Sequence, residues 1–129
     1  MAKRDPVRPT NAELEILRVL WQRGPSTVRD VHAAVVRAEP VGYTTMLKLL
    51  QIMTDKGLVS RDASERTHVY AAAVSEATTQ RRMVSDLMRR AFGGSTLALV
   101  QQALSSSPAS PQEIKQIRRL LDDLKGGSR

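Results

Sequence analysis

Thr44, Thr45, Lys48 and Gln51 are the residues of this chain whose types and spacing best suit chemistry with a partner, and all four fall in the stretch GYTTMLKLLQIMTDKG, Gly42 to Gly57. Hydroxyls, an amide and a cation are the groups that hydrogen-bond base edges and phosphate oxygens. Read at helical period they lie with Asp55 on one side, a face with no large apolar group, while Met46, Leu49, Leu50 and Met53 recur at i, i+3, i+4 and i+7 on the other. A helix anchored by its Met/Leu stripe and holding out such a face matches a recognition helix entering a major groove. Most amphipathic helices of this composition are merely solvated, so the reading rests on the elements around it.

Those elements follow in a telling order. Thr10 or Asn11 can cap a first helix whose Leu14, Leu17, Leu20 and Trp21 form a buried stripe, with Glu13 and Glu15 near its positive end and Gly24-Pro25 stopping it. Trp21 continues the stripe and is read as a core anchor. Thr27 with Asp30 resembles a capping box, opening a second helix from about Val28 to Ala38 with Val28, Val31 and Val35 inward and His32 at its boundary. After Gly57, two extended runs, 58–61 and 67–71, bracket a polar link and predict a hairpin. Arg61 and Arg66 on that hairpin can meet a phosphate backbone. Three helices and a hairpin make the winged-helix order.

From Val74 the pattern is helical throughout. A helix over 75–92 carries Val84, Leu87, Met88 and Ala91; Ser95 caps a shorter one with Leu97, Val100 and Leu104; residues 105–108 read as a loop. Ser110-Pro111-Gln112-Glu113 starts a last helix bearing Ile114, Ile117, Leu120, Leu121 and Leu124, which Gly126-Gly127 ends. Three short helices cannot easily bury these faces alone, so Leu87, Met88, Leu97, Val100, Leu104, Ile117, Leu120, Leu121 and Leu124 are expected at a homodimer contact. The fold class is therefore mainly α with an α+β winged helix. A flexible lead at 1–9 precedes a winged helix-turn-helix domain with a two-stranded wing at 10–73, and a three-helix dimerisation domain occupies 74–129.

Composition narrows the function classes. In 129 residues the aromatic share is 3%, so the cores must be built from aliphatic side chains and will be small. With no cysteine there is no disulfide or thiolate metal site, and His32 and His68 stand apart from any ligand pattern, so no metal and no cofactor is expected. No apolar run reaches the roughly 18 residues of a membrane span, and the basic N-terminus has no apolar core behind it, which together predict a soluble, cytoplasmic protein. The net charge of +7 permits a nucleic-acid partner, yet residues 1–73 hold 11 Lys/Arg against 8 Asp/Glu and 74–129 hold 9 against 5, so the excess is not concentrated in the candidate reading domain. Without a phosphate loop, a nucleophile elbow or clustered carboxylates and histidines, no enzyme is expected. A winged-helix adaptor that docks protein through its third helix is the alternative to a DNA reader.

The segments AELEILRVLW (12–21), STVRDVH (26–32), GYTTMLKLLQIMTDKGLV (42–59), HVY (68–70) and AFGGSTLALV (91–100) resemble, in order and spacing, the penicillinase-repressor (BlaI/MecI) type of transcriptional regulator. The resemblance runs from Pro9 to about Leu124. It implies a dimeric repressor that occludes a promoter by binding a palindromic double-stranded DNA operator. By position it puts the DNA-reading role on Thr44, Thr45, Lys48 and Gln51, with Arg66 on the wing. Antibiotic-responsive members are cut in the C-terminal domain by a membrane sensor-protease system; the equivalent segment here, around Val100 to Ala103, places proteolysis at Gln102 and Ala103 but lacks the Asn-Phe pair of the staphylococcal members. Copper-responsive relatives use cysteine pairs, and this chain has none.

Overall fold

The computed structural model describes residues 8–35 and 40–127. Among them the elements run α1 (Asn11–Arg23), β1 (Ser26–Thr27), α2 (Val28–Ala34), α3 (Tyr43–Lys56), β2 (Val59–Asp62), β3 (Val69–Ala72), α4 (Glu76–Ala91), α5 (Thr96–Ser106) and α6 (Pro111–Gly127). The expected lead falls mostly outside the described residues, as does the continuation of the second helix beyond Val35.

The helix starts follow from local chemistry. Thr10 caps α1 through its hydroxyl, which accepts the Glu13 N–H at 3.2 Å, while the Glu13 carboxylate accepts the Thr10 N–H at 2.9 Å, a reciprocal box that satisfies two otherwise orphaned donors. Thr27 and Asp30 repeat this device at α2. Gly57 ends α3 in the left-handed region at φ 83°, and the Leu58 N–H returns to the Met53 carbonyl at 2.9 Å, turning the chain directly into β2.

The core gathers on one side of α3. Met46, Leu50 and Met53 pack with Ile16, Leu17 and Leu20 of α1, Val28 and Val31 of α2, and Leu58, Val59 and Tyr70. Leu49 and Trp21 sit at its margin, half-buried, and the Trp21 indole donates to the Val74 carbonyl at 2.9 Å. Ile16 and Val19 of α1 are buried besides the expected Leu17 and Leu20.

Four expectations need correction. The wing hairpin β2–β3 belongs to a three-stranded antiparallel sheet, because the two residues of β1 pair with β3, Ser26 opposite Tyr70 and Thr27 opposite Val69. α2 ends at Ala34, and Val35, expected inside the helix, is extended at φ −73° and ψ 123°. α5 continues through Ser106, so Ser105 and Ser106, read as loop, are helical; the Ser106 hydroxyl donates to the Gln102 carbonyl one turn back, which satisfies it within the helix. α6 likewise runs through Gly127 instead of ending before the glycine pair.

The chain divides into two compact units, Met1–Arg82 and Met83–Arg129, with α4 passing through the division. The first contains every buried residue described above. In the second, no described side chain from Met83 to Gly126 is buried.

Candidate nucleic-acid interface

Packing of Met46, Leu50 and Met53 fixes the rotation of α3 and thereby turns the intervening residues outward. Thr44, Thr45, Lys48 and Gln51 are all exposed. The face is less uniformly polar than expected, for Tyr43 and Ile52 are also on the surface at 50% and 40% exposure. Both are large and apolar. Ile52 is out of register with the core stripe, whereas Tyr43, three residues before Met46, keeps its register but is the first residue of α3.

Contacts at its two ends hold this helix in place, with one further bond inside it. At its start, His32 Nε2 lies 2.8 Å from the Val41 carbonyl and its ring meets Tyr43 edge-on at 6.2 Å and 75°, fastening the segment that leads into α3. Near its end, the Thr54 hydroxyl donates to the Leu50 carbonyl at 2.8 Å. In its last turn, Lys56 Nζ donates to both oxygens of Glu13, at 2.8 and 2.9 Å, so that one carboxylate caps α1 and anchors α3. Glu13 is only 3% exposed. Burial pushes its carboxyl upward, but the Lys56 ammonium and the Thr10 N–H outweigh burial and hold it below the usual carboxylate value.

On the wing, Arg61 stands on β2 opposite Tyr70, and Arg66 lies in the connection to β3; both are exposed. The Asp62 carboxylate accepts the Ser64 N–H at 2.9 Å, an Asx turn that shapes this connection and, through that bond, keeps Asp62 acidic. Arg66 and His68 share an open cleft with Tyr43 and Leu47 of α3 and Arg29 of α2; Arg61 does not line it. The structure thus brings Arg66, but not Arg61, into one recess with α3. Sequence reasoning missed Arg29, Tyr43 and the Glu13–Lys56 link. Thr10-x-x-Glu13 is a visible capping signature, yet nothing local tells that the same glutamate meets a lysine 43 positions away.

In the second unit the residues expected at a dimer contact are largely uncovered. Leu97, Leu120, Leu121 and Leu124 are 57–67% exposed, Leu87, Val100 and Leu104 less so, and Met88 and Ile117 are half-buried. Gln102 and Ala103 are exposed, both within the helical span of α5. No helix of the described residues is long and apolar enough to cross a membrane.

The penicillinase repressor family model matches residues 9–123. A transcriptional regulator BlaI of Mycobacterium tuberculosis is 31% identical over 117 residues, covering 89% of this chain and 83% of its own. A penicillinase repressor of Bacillus licheniformis is 21% identical over 116 residues, covering 90% and 91%. A solved CopR repressor is 26% identical and covers 54% of this chain and all of its own, with a TM-score of 0.44. A family of repressors favours a DNA reader over a protein-docking adaptor, and with three helices and a wing presenting Thr44, Thr45, Lys48 and Gln51 outward, the chain belongs to the penicillinase-repressor (BlaI/MecI) family of DNA-binding transcriptional repressors.

Proposed function

We propose that the repressor works as a homodimer on an operator with two-fold symmetry, each copy laying α3 in a major groove. Thr44, Thr45, Lys48 and Gln51 read the base edges, and Arg61 and Arg66 of the wing contact the backbone beside them. The observation that carries this reading is the exposure of all four α3 side chains on a helix whose opposite face is locked in the core. In this reading residues 10–73 form the DNA-reading domain and 74–129 the dimerising one. The uncovered leucines of α5 and α6 support a second copy as their cover, and two-fold pairing would set the recognition helices on successive turns of the duplex. The protein then acts in the cytoplasm, where its DNA lies, by occupancy and without a catalytic step.

Relief of repression by a sensor-protease at Gln102–Ala103 draws support from the exposure of both side chains. Cleavage there requires α5 to open locally, since the segment is helical. The decisive experiment is fluorescence polarisation of the full chain against promoter palindromes and random duplexes. Tighter binding to one palindrome, at two chains per duplex and with no added small molecule, is expected; equal binding to all duplexes rejects the proposal.

A further inference from the structure

The cleft between α2, α3 and the wing has a volume of about 620 Å³, larger than a lone phosphate requires and of the order that holds a nucleotide-sized group. Its walls divide by chemistry. Arg29, Arg66 and His68 are exposed and bring nitrogen donors, with the Thr27 hydroxyl beside them, while Leu47 and the Tyr43 ring bring apolar surface. No aspartate or glutamate is among its described lining residues. Nor does either arginine meet a carboxylate among the described ion pairs. Two guanidiniums left unneutralised on one recess favour an anion, and their planar forks suit the paired oxygens of a phosphate.

The position of the cleft says which phosphate. Tyr43 and Leu47 wall it, while Thr44 and Lys48, the next residues of the same helix turns, face outward. A strand running past the groove that α3 enters would therefore pass the cleft. The geometry points to a seat for one sugar–phosphate unit of the duplex backbone, with Arg29 and Arg66 on the phosphate oxygens and the Tyr43 ring and Leu47 against the deoxyribose. Its location rests on α3 being the element in the groove. His32 serves it indirectly, as a positioning residue, since its edge-on contact with Tyr43 and its bond to the Val41 carbonyl fix the aromatic wall.

The test uses the full chain, titrated by polarisation against the operator and a random duplex across a range of salt. Arg29→Ala and Arg66→Ala should each weaken both duplexes by a similar factor, on the order of tenfold. Each should also lower the salt slope, and the double variant should lower it by about 1.8, the signature of one lost phosphate contact in each half-site of the dimer. Operators carrying a single neutral methylphosphonate, scanned along each strand, locate the seat: at one position per half-site the substitution should weaken the natural chain more than Arg29→Ala and leave the double variant unchanged. Unaltered affinity and slope in Arg29→Ala, with operator preference intact in the natural chain, would overturn the cleft assignment while leaving the proposed function standing. A free phosphate is the other source of the same anion. Saturable binding of inorganic phosphate that Arg29→Ala abolishes, with no methylphosphonate position coupled to Arg29, would also overturn it. Loss of any operator preference in the natural chain counts against the proposed function instead.

Discussion

The Glu13–Lys56 link can be tested by removing each partner separately and then both. In Lys56→Met the Glu13 carboxylate stays almost wholly buried with only the Thr10 N–H donating to it, having lost two ammonium contacts of 2.8 and 2.9 Å. Stranding one partner of a fully buried pair costs roughly 3–5 kcal/mol; because the Lys56 side chain is 30% exposed and water can follow it in, about 2–3 kcal/mol is expected here. Glu13→Gln leaves no stranded charge and keeps an acceptor for Thr10, so about 1 kcal/mol is expected. The double variant should lose far less than the two singles together, with a coupling of about 1–2 kcal/mol. Urea unfolding followed by the fluorescence of Trp21, which lies against this core, provides the readout. The pH dependence gives a second. The Glu13 carboxyl is depressed in the folded chain, so its contribution is fully present above the ordinary carboxylate value of 4.5 and is lost as pH falls through the lower folded value. The natural chain should therefore lose stability in acid more steeply than Glu13→Gln. Additive losses, or identical acid limbs, would refute the argument that this pair locks α3 to α1.

Other consequences are equally direct. Lys48→Ala should weaken operator binding and, if Lys48 reads a base, relax discrimination at one base-pair position by about 1–3 kcal/mol; an equal loss on random duplex would make Lys48 a phosphate contact. Leu121→Asp with Leu124→Asp should yield monomers in sedimentation equilibrium while the far-ultraviolet helix signal of the first unit persists, since both side chains are about 60% exposed and outside its core. Trp21→Phe keeps the apolar packing but removes the donor to the Val74 carbonyl, and should cost about 1 kcal/mol in urea unfolding followed by far-ultraviolet circular dichroism, since Trp21 is the one tryptophan of the chain.

Elements written in local chemistry were readable from sequence. Thr27-x-x-Asp30, Gly57 and Ser110-Pro111 act within a few residues of themselves, and the Met46, Leu50, Met53 stripe needs nothing but its own period to declare a buried face. What stayed hidden depends on distant partners. β1 has two residues and no alternation to display, becoming a strand only because β3 returns beside it. Glu13 looks like any first-turn acid until α3 delivers Lys56. Tyr43 and Ile52 are different: Ile52 is exposed because it is out of register with the buried stripe, whereas Tyr43 keeps that register and its exposure shows only in the folded chain. The site residues on α3 were legible as the complement of the core stripe, whereas the cleft is formed by α2, α3 and the wing together and exists in no single segment.

No side chain from Met83 to Gly126 is buried, and under the proposed pairing that makes protein abundance a control variable in its own right. If those leucines find cover only in another copy, the folded order of this half rises and falls with concentration. Near the pairing threshold, halving the cellular amount would cut the paired species toward one quarter. Promoter occupancy would then respond to synthesis and turnover of the chain far more steeply than a one-copy reader could.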